Sequence, residues 1–157
     1  MVSAPARDMK VRAGDEKRYV EIIIGRELEG TPLENQEANY VKYGDQYNVD
    51  PLLAIAIAFH ESKYCKAYAD WYNRQYNNCA GIMNGGQENG LIKFDSYEMF
   101  ISNHMKLFAN YIYKNGRDTI SEIGRTYAPV ESHFLNASWQ GSVTKKYHAL
   151  WNLLETR

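Results

Sequence analysis

Asp50-Pro51-Leu52-Leu53-Ala54-Ile55-Ala56-Ile57-Ala58-Phe59-His60-Glu61-Ser62 is the stretch on which the fold turns. Asp50 carries the side-chain acceptor that caps a helix, and Pro51 suits the first turn because it lacks the N–H that would go unpaired there. From Leu52 to Phe59 no polar side chain interrupts the run. A helix apolar on every side is buried on every side. Glu61 leaves that wall one turn beyond Ile57 and Ala58, which puts a carboxyl at the edge of the core. Low polarity disfavours the ionised form, so a carboxyl held there keeps its proton towards neutrality and can serve as a general acid. The same position also suits the first solvated residue of a helix end, or one half of an ion pair with Lys63. The rest of the chain has to separate the two.

Upstream, residues 1–18 read as a polar, flexible lead-in, followed by a helix over Tyr19 to Leu28 that Gly30 ends. Thr31-Pro32-Leu33-Glu34 has the form of a capping box with proline at the first helical position. It predicts a helix carrying Ala38 and Val41 and closing between Gly44 and Asn48. Downstream, Cys65 to Asn89 is irregular and rich in Asn, Gly and Tyr. The pairs Gly85-Gly86 and Asn89-Gly90 are turn signals, and Leu91-Ile92-Lys93-Phe94 reads as a short strand. Asp95 is expected to cap the next helix, whose apolar positions Phe100, Ile101, Met105, Leu107, Phe108, Tyr111 and Ile112 run to Asn115-Gly116. A short helix from Thr119 to Ile123 should stop at Gly124. Trp139, Val143, Tyr147, Leu150, Trp151 and Leu154 share one face of a last helix. The sum is one mainly α domain over residues 19–157, with a small β-hairpin element.

At 157 residues the chain is long enough to bury a real core. A formal net charge of -1 leaves no electrostatic footprint for nucleic acid or an anionic membrane. No apolar run reaches the ~20 residues needed to span a bilayer. The first residues carry no apolar signal-peptide core. The chain is therefore expected either to be a piece of a larger, multidomain protein or to cross no membrane by that route. Cys65 and Cys79 match no zinc spacing; they form a disulfide in an oxidising compartment or stay as two thiols. His60-Glu61 opens like a zinc-protease helix, but Tyr64 stands where the second histidine would be. His104, His133 and His148 are scattered, so no metal and no cofactor is expected. Thirteen tyrosines and three tryptophans suit sugar faces as well as cores.

The order of these elements resembles the bacterial cell-wall glucosaminidases and their lysozyme-like relatives, the lytic transglycosylases. Val49-Asp50-Pro51 through Ala58 into Glu61-Ser62 is similar to the segment that delivers their catalytic glutamate. Asn77-Asn78-Cys79-Ala80-Gly81-Ile82 resembles the Asn-x-x-Gly-Ile segment of the glucosaminidases, while Met83-Asn84 leans towards the Gly-Leu-Met-Gln segment of the transglycosylases. Phe94-Asp95-Ser96 with Phe100, Ile101 and Leu107 is similar to the glucosaminidase strand and following helix. Thr126-Tyr127-Ala128, then Trp139, Val143 and Tyr147, resembles the Tyr-Ala segment and closing helix. The match covers about Val49 to Leu150 and leaves residues 1–30 outside it.

The resemblance implies a lysozyme-like helical domain that cuts the β-1,4 glycan strand of peptidoglycan, outside the cell or in its wall, in an autolysin or a phage lysin. Glu61 would protonate the glycosidic oxygen. Most glycosidases set a second carboxylate across the bond, for which Glu88, Asp95 and Glu131 are the candidates. Without one, the 2-acetamido carbonyl of the sugar can shield the oxocarbenium itself. Tyr127 would support the sugar or the acid; an ordinary core tyrosine fits the same position. Gly81, Ile82, Met83 and Asn84 would floor the cleft, with Asn84 binding an acetamido group and Gly81 serving close approach or a turn. Glu88 is the loop acid best placed beside it. Trp71, Tyr72 and Tyr76 either stack on sugar rings or pin the loop. Two other functions fit the pattern: a lytic transglycosylase leaving 1,6-anhydro ends, and a non-catalytic glycan-binding module of a phage tail or secretion machine.

Overall fold

The apolar segment forms the helix around which the others pack. The computed structural model describes residues 15–66, 75–83, 90–117, 119–127 and 138–156. Six α-helices and one π-helical turn make up the regular structure of these residues. They are α1 (Asp15–Leu28), α2 (Glu37–Tyr47), α3 (Pro51–Ser62), α4 (Tyr97–Ala109), the π turn Asn110–Lys114, α5 (Ile120–Tyr127) and α6 (Trp139–Glu155).

Asp50 starts α3 as its sequence suggests: the Leu52 N–H donates to Asp50 Oδ1 at 2.9 Å, with Pro51 at the first helical position. Every side chain from Leu52 to Ala58 is fully buried, and α3 touches α1, α2, α4 and α6. Each of its leucines and isoleucines contributes about 1.5–3 kcal/mol by leaving water. The most extensive packing in the molecule is α3 on α6. Two hydrogen bonds mark its ends: Tyr147 Oη donates to Asp50 Oδ2 at 2.7 Å, and Trp139 Nε1 donates to Glu61 Oε1 at 3.0 Å. Early residues of one helix meet late residues of the other, so the pair is antiparallel.

Five expectations need correction. The β-hairpin is not formed among the described residues: a single antiparallel bridge joins Met83 to Leu91, with Ile92 N–H on Ile82 O at 2.9 Å. The carbonyls of Ile82 and Ile92 also accept from the Asn78 amide. The Thr31 box makes its local bonds, Leu33 N–H to Thr31 Oγ1 at 3.3 Å and Gly30 N–H to Glu34 Oε1 at 3.1 Å. Yet Asn35 lies in the left-handed region (φ 71) and closes a turn, so α2 starts only at Glu37. Ser96, not Asp95, caps α4, accepting from Met99 N–H at 3.1 Å. Gly124 does not end α5; it lets the helix run on to Tyr127 against α6, where an added Cβ would stand 3.0 Å from the Trp139 ring. The first helix also opens at Asp15, ahead of the expected Tyr19.

Two boundaries agree with the sequence: α2 closes at Tyr47 with Asn48 in the left-handed region, and α6 begins at Trp139. The π turn extends the expected helix up to Lys114. Among the described residues no helix is long and apolar enough to cross a membrane.

Candidate active site

Glu61 sits in the last turn of α3, where the chain must leave the core. Lys63, Tyr64 and Cys65 follow with φ of 48, 60 and 71°, one left-handed turn built without glycine. Such residues cost about 1–2 kcal/mol each, and they persist where the surroundings over-determine them. Here three restraints do so. Ser62 Oγ accepts from Cys65 N–H at 2.9 Å and donates to the Cys79 carbonyl at 2.5 Å. Cys65 and Cys79 are joined by a disulfide, which settles the choice the sequence left open. Buried Tyr64 donates its hydroxyl to Glu27 Oε2 on α1 at 2.7 Å, and Lys146 of α6 pairs with the same oxygen at 3.0 Å.

The Glu61 side chain is half-buried. Burial pushes its pKa up to about 7, and the indole N–H of Trp139 acts against that by favouring the ionised form. A carboxyl so poised keeps its proton up to near neutral pH and can give it to a leaving oxygen. The neighbouring His60 ring stands edge-on to Trp139 at 6.5 Å, and burial lowers its pKa.

Tyr127 closes α5 and joins the same cluster. Its ring lies 5.5 Å from Trp139, 5.7 Å from Phe108 and 6.4 Å from Tyr111, the last edge-on from the π turn. Its hydroxyl is 3.1 Å from His104 Nε2. Burial first, and then the charge of Glu61, hold the phenol well above its ordinary pKa. It therefore acts as a neutral hydrogen-bonding group. Glu61, Trp139, Tyr127 and His104 form one connected row from the helix end into the core.

The segment after the disulfide is organised by Asn78, which is fully buried. Its Oδ1 accepts from Ile82 N–H, and its Nδ2 donates to the carbonyls of Ile82 and Ile92, all at 2.9 Å. Asn77 Nδ2 donates to Phe94 O at 2.9 Å. Gly81 takes φ +64 with open space where a Cβ would be, so the turn, rather than a close protein neighbour, requires glycine. Ile82 is half-buried and packs on the core, whereas Met83 is 51% exposed. Tyr76 is half-buried and tied through its backbone, its carbonyl accepting from Phe94 N–H at 2.9 Å. Gly81, Ile82 and Met83 thus follow directly on Cys79, which Ser62 binds beside Glu61. Asn84, Trp71, Tyr72, Glu88 and Glu131 lie outside the described residues, as does His133. Asp95 is exposed at the head of α4.

Trp139, His104, Asn78 and Ser62 belong to this arrangement, and the sequence reading gives none of them a role at the site. His104 had a signal: it falls at helical spacing between Phe100 and Phe108, a polar ring inside an apolar stripe. Trp139 had a weaker one, an N–H donor at the first position of the α6 stripe. Asn78 had one as the Asn of the Asn-x-x-Gly-Ile segment, whereas Ser62 shows only its place after Glu61, because its Cys79 partner lies 17 residues away. Among the described residues no group of three or more His, Cys, Asp or Glu is placed to hold a metal ion. No protein-family model matches the chain, and no curated protein matches it either.

Proposed function

We propose that this protein cleaves the β-1,4 glycan strands of peptidoglycan in the manner of an endo-β-N-acetylglucosaminidase, with Glu61 as general acid. One observation carries the reading. Glu61 stands at the end of a wholly buried helix, held by Trp139, with its pKa raised to about 7 by burial. Those are the requirements for protonating a glycosidic oxygen near neutral pH.

The rest of the mechanism is assigned by chemistry. Proton transfer from Glu61 to the bridging oxygen breaks the bond from the anomeric carbon, and positive charge builds on that sugar. The acetamido carbonyl of an N-acetylated sugar shields this charge when no second carboxylate faces it, until a water adds to the anomeric carbon and its released proton restores the Glu61 carboxyl. Tyr127, neutral and beside Glu61, supports the acid or the sugar. Gly81, Ile82 and Met83 offer backbone and side chain to the glycan. The disulfide supports work in an oxidising place outside the cytoplasm, and the lysozyme-like order of motifs supports the substrate class.

Digestion of purified peptidoglycan, reduction of the new ends and weighing of the products tests the proposal. A reduced N-acetylglucosamine end is the expected product. A 1,6-anhydro-muramic end, lighter by one water, would make the protein a lytic transglycosylase. Unchanged glycan, with the fold intact, would leave a binding module and overturn the catalytic reading.

A further inference from the structure

His104 is the buried titratable group that the mechanism above leaves unused. It is fully buried in α4, with its ring centroid 5.1 Å from that of Phe100 and 4.4 Å from that of Phe108. Burial drives its pKa down to about 3. The imidazole is therefore neutral and has one N–H and one lone pair to place. Nε2 lies 3.1 Å from the Tyr127 hydroxyl, while Nδ1 has no partner among the described residues.

Those two facts decide the tautomer. A buried N–H without an acceptor is rarer and costlier than an under-used acceptor. A proton on Nδ1 would be orphaned between two phenyl rings, so the proton sits on Nε2 and donates to Tyr127 Oη. A hydroxyl has one hydrogen. With its oxygen accepting from His104, the phenol cannot spend that hydrogen on the imidazole nitrogen. The Tyr127 ring leans on Trp139, whose indole holds Glu61, and the charge of Glu61 is felt at the phenol.

We propose that His104 is a positioning residue: by donating Nε2–H to Tyr127 Oη across the α4–α5 packing, it turns the phenol O–H towards Glu61 and the glycan beside it. The inference rests on the glycosidase reading and deepens it. His104 itself touches no substrate. It acts by removing the one alternative, a phenol hydrogen spent on an imidazole nitrogen, and it must be neutral and apolar-walled to do so. Its place between Phe100 and Phe108 supplies both conditions.

The test pairs two substitutions with a tautomer measurement. His104→Phe keeps the volume and the stacking but removes the donor; His104→Gln keeps an N–H donor near the place of Nε2. His104→Phe should lower kcat by about tenfold or more with little change in KM, the scale expected when a catalytic group loses its orientation. His104→Gln should recover most of the loss. His104→Phe combined with Tyr127→Phe should be no slower than Tyr127→Phe alone. In the unmodified protein, nitrogen NMR should find the His104 proton on Nε2 and Nδ1 bare. A proton on Nδ1, or equal losses in the Phe and Gln variants that multiply with Tyr127→Phe, would overturn the role of His104 in an active enzyme. An inactive unmodified protein would overturn the glycosidase reading and the positioning role together, even with Nε2 protonated.

Discussion

Trp139 Nε1 donates to Glu61 Oε1 at 3.0 Å across the seam between α3 and α6, and it is the described group that opposes the effect of burial on that carboxyl. The indole holds the acid in place and at the same time makes it a slightly better acid. Replacing it with phenylalanine should raise the pKa of Glu61 further and shift the alkaline limb of activity to higher pH. The part of the ring that packs on Gly124 is also trimmed, which should cost about 1–3 kcal/mol of stability. Carboxyl titration by NMR in the two proteins checks the direction.

Glu61→Gln should abolish glycan cleavage, since a general acid contributes about 10²–10⁴ in rate. Retention of a large share of the turnover would remove Glu61 from the chemistry. The same pair of proteins should differ in stability with pH. The folded pKa of Glu61 lies above the ordinary 4.5, at about 7. Its contribution is therefore fully present below the ordinary value and lost as pH rises through the folded one. The stability of the unmodified protein minus that of the variant should fall between about pH 4.5 and pH 7 and be flat on either side. His104, held neutral by burial, acts in the opposite sense in both proteins and cancels from the difference.

Tyr127→Phe should slow cleavage strongly, yet less than Glu61→Gln. The phenol transfers no proton in the mechanism and serves by its hydroxyl alone. Turnover equal to that of the unmodified protein would return Tyr127 to a packing role.

The Cys65–Cys79 bond closes the loop behind the acid. Its loss by reduction, or in a Cys65→Ser, Cys79→Ser variant, should cost about 3 kcal/mol in the chain-entropy account of such loops. Thermal unfolding with and without reductant measures this. Thiol titration of the unreduced, unfolded protein should find no free sulfhydryl from this pair.

Asn78→Ala removes three hydrogen bonds from a buried site and strands the Ile92 carbonyl and the Ile82 N–H, while the Ile82 carbonyl keeps the Ile92 N–H. A loss of about 2–4 kcal/mol is expected. Faster hydrogen exchange at Ile82 and Ile92 than in α3 would localise it to this segment.

What the sequence exposes and what it hides follow from where the determining contacts lie. Asp50, Pro51 and the apolar run to Phe59 carry their own instructions, because the cap, the first-turn proline and burial are local or compositional. Glu61 becomes legible through them. Thr31 to Glu34 misleads in the opposite way: the box makes its local bonds, and the left-handed Asn35 still delays the helix. Gly124 reads as a stop because sequence shows its missing side chain but not the Trp139 ring that occupies the space. The left-handed run from Lys63 to Cys65 has no glycine to announce it. It depends on Ser62, Tyr64 and a cysteine partner further along the chain.

Asp50 and Tyr147 meet at one end of the α3–α6 pair, Glu61 and Trp139 at the other. A rod pinned at both ends to the same support can neither slide nor pivot without breaking a pin. Beside those two pins, the turn that follows the acid is tied to Cys79 by the Ser62 hydrogen bond and the Cys65–Cys79 bond. Substitutions at exposed positions beyond that tie, such as Met83, can remake the surface while Glu61 keeps its address, so in a glycosidase affinity and chemistry would be open to separate revision.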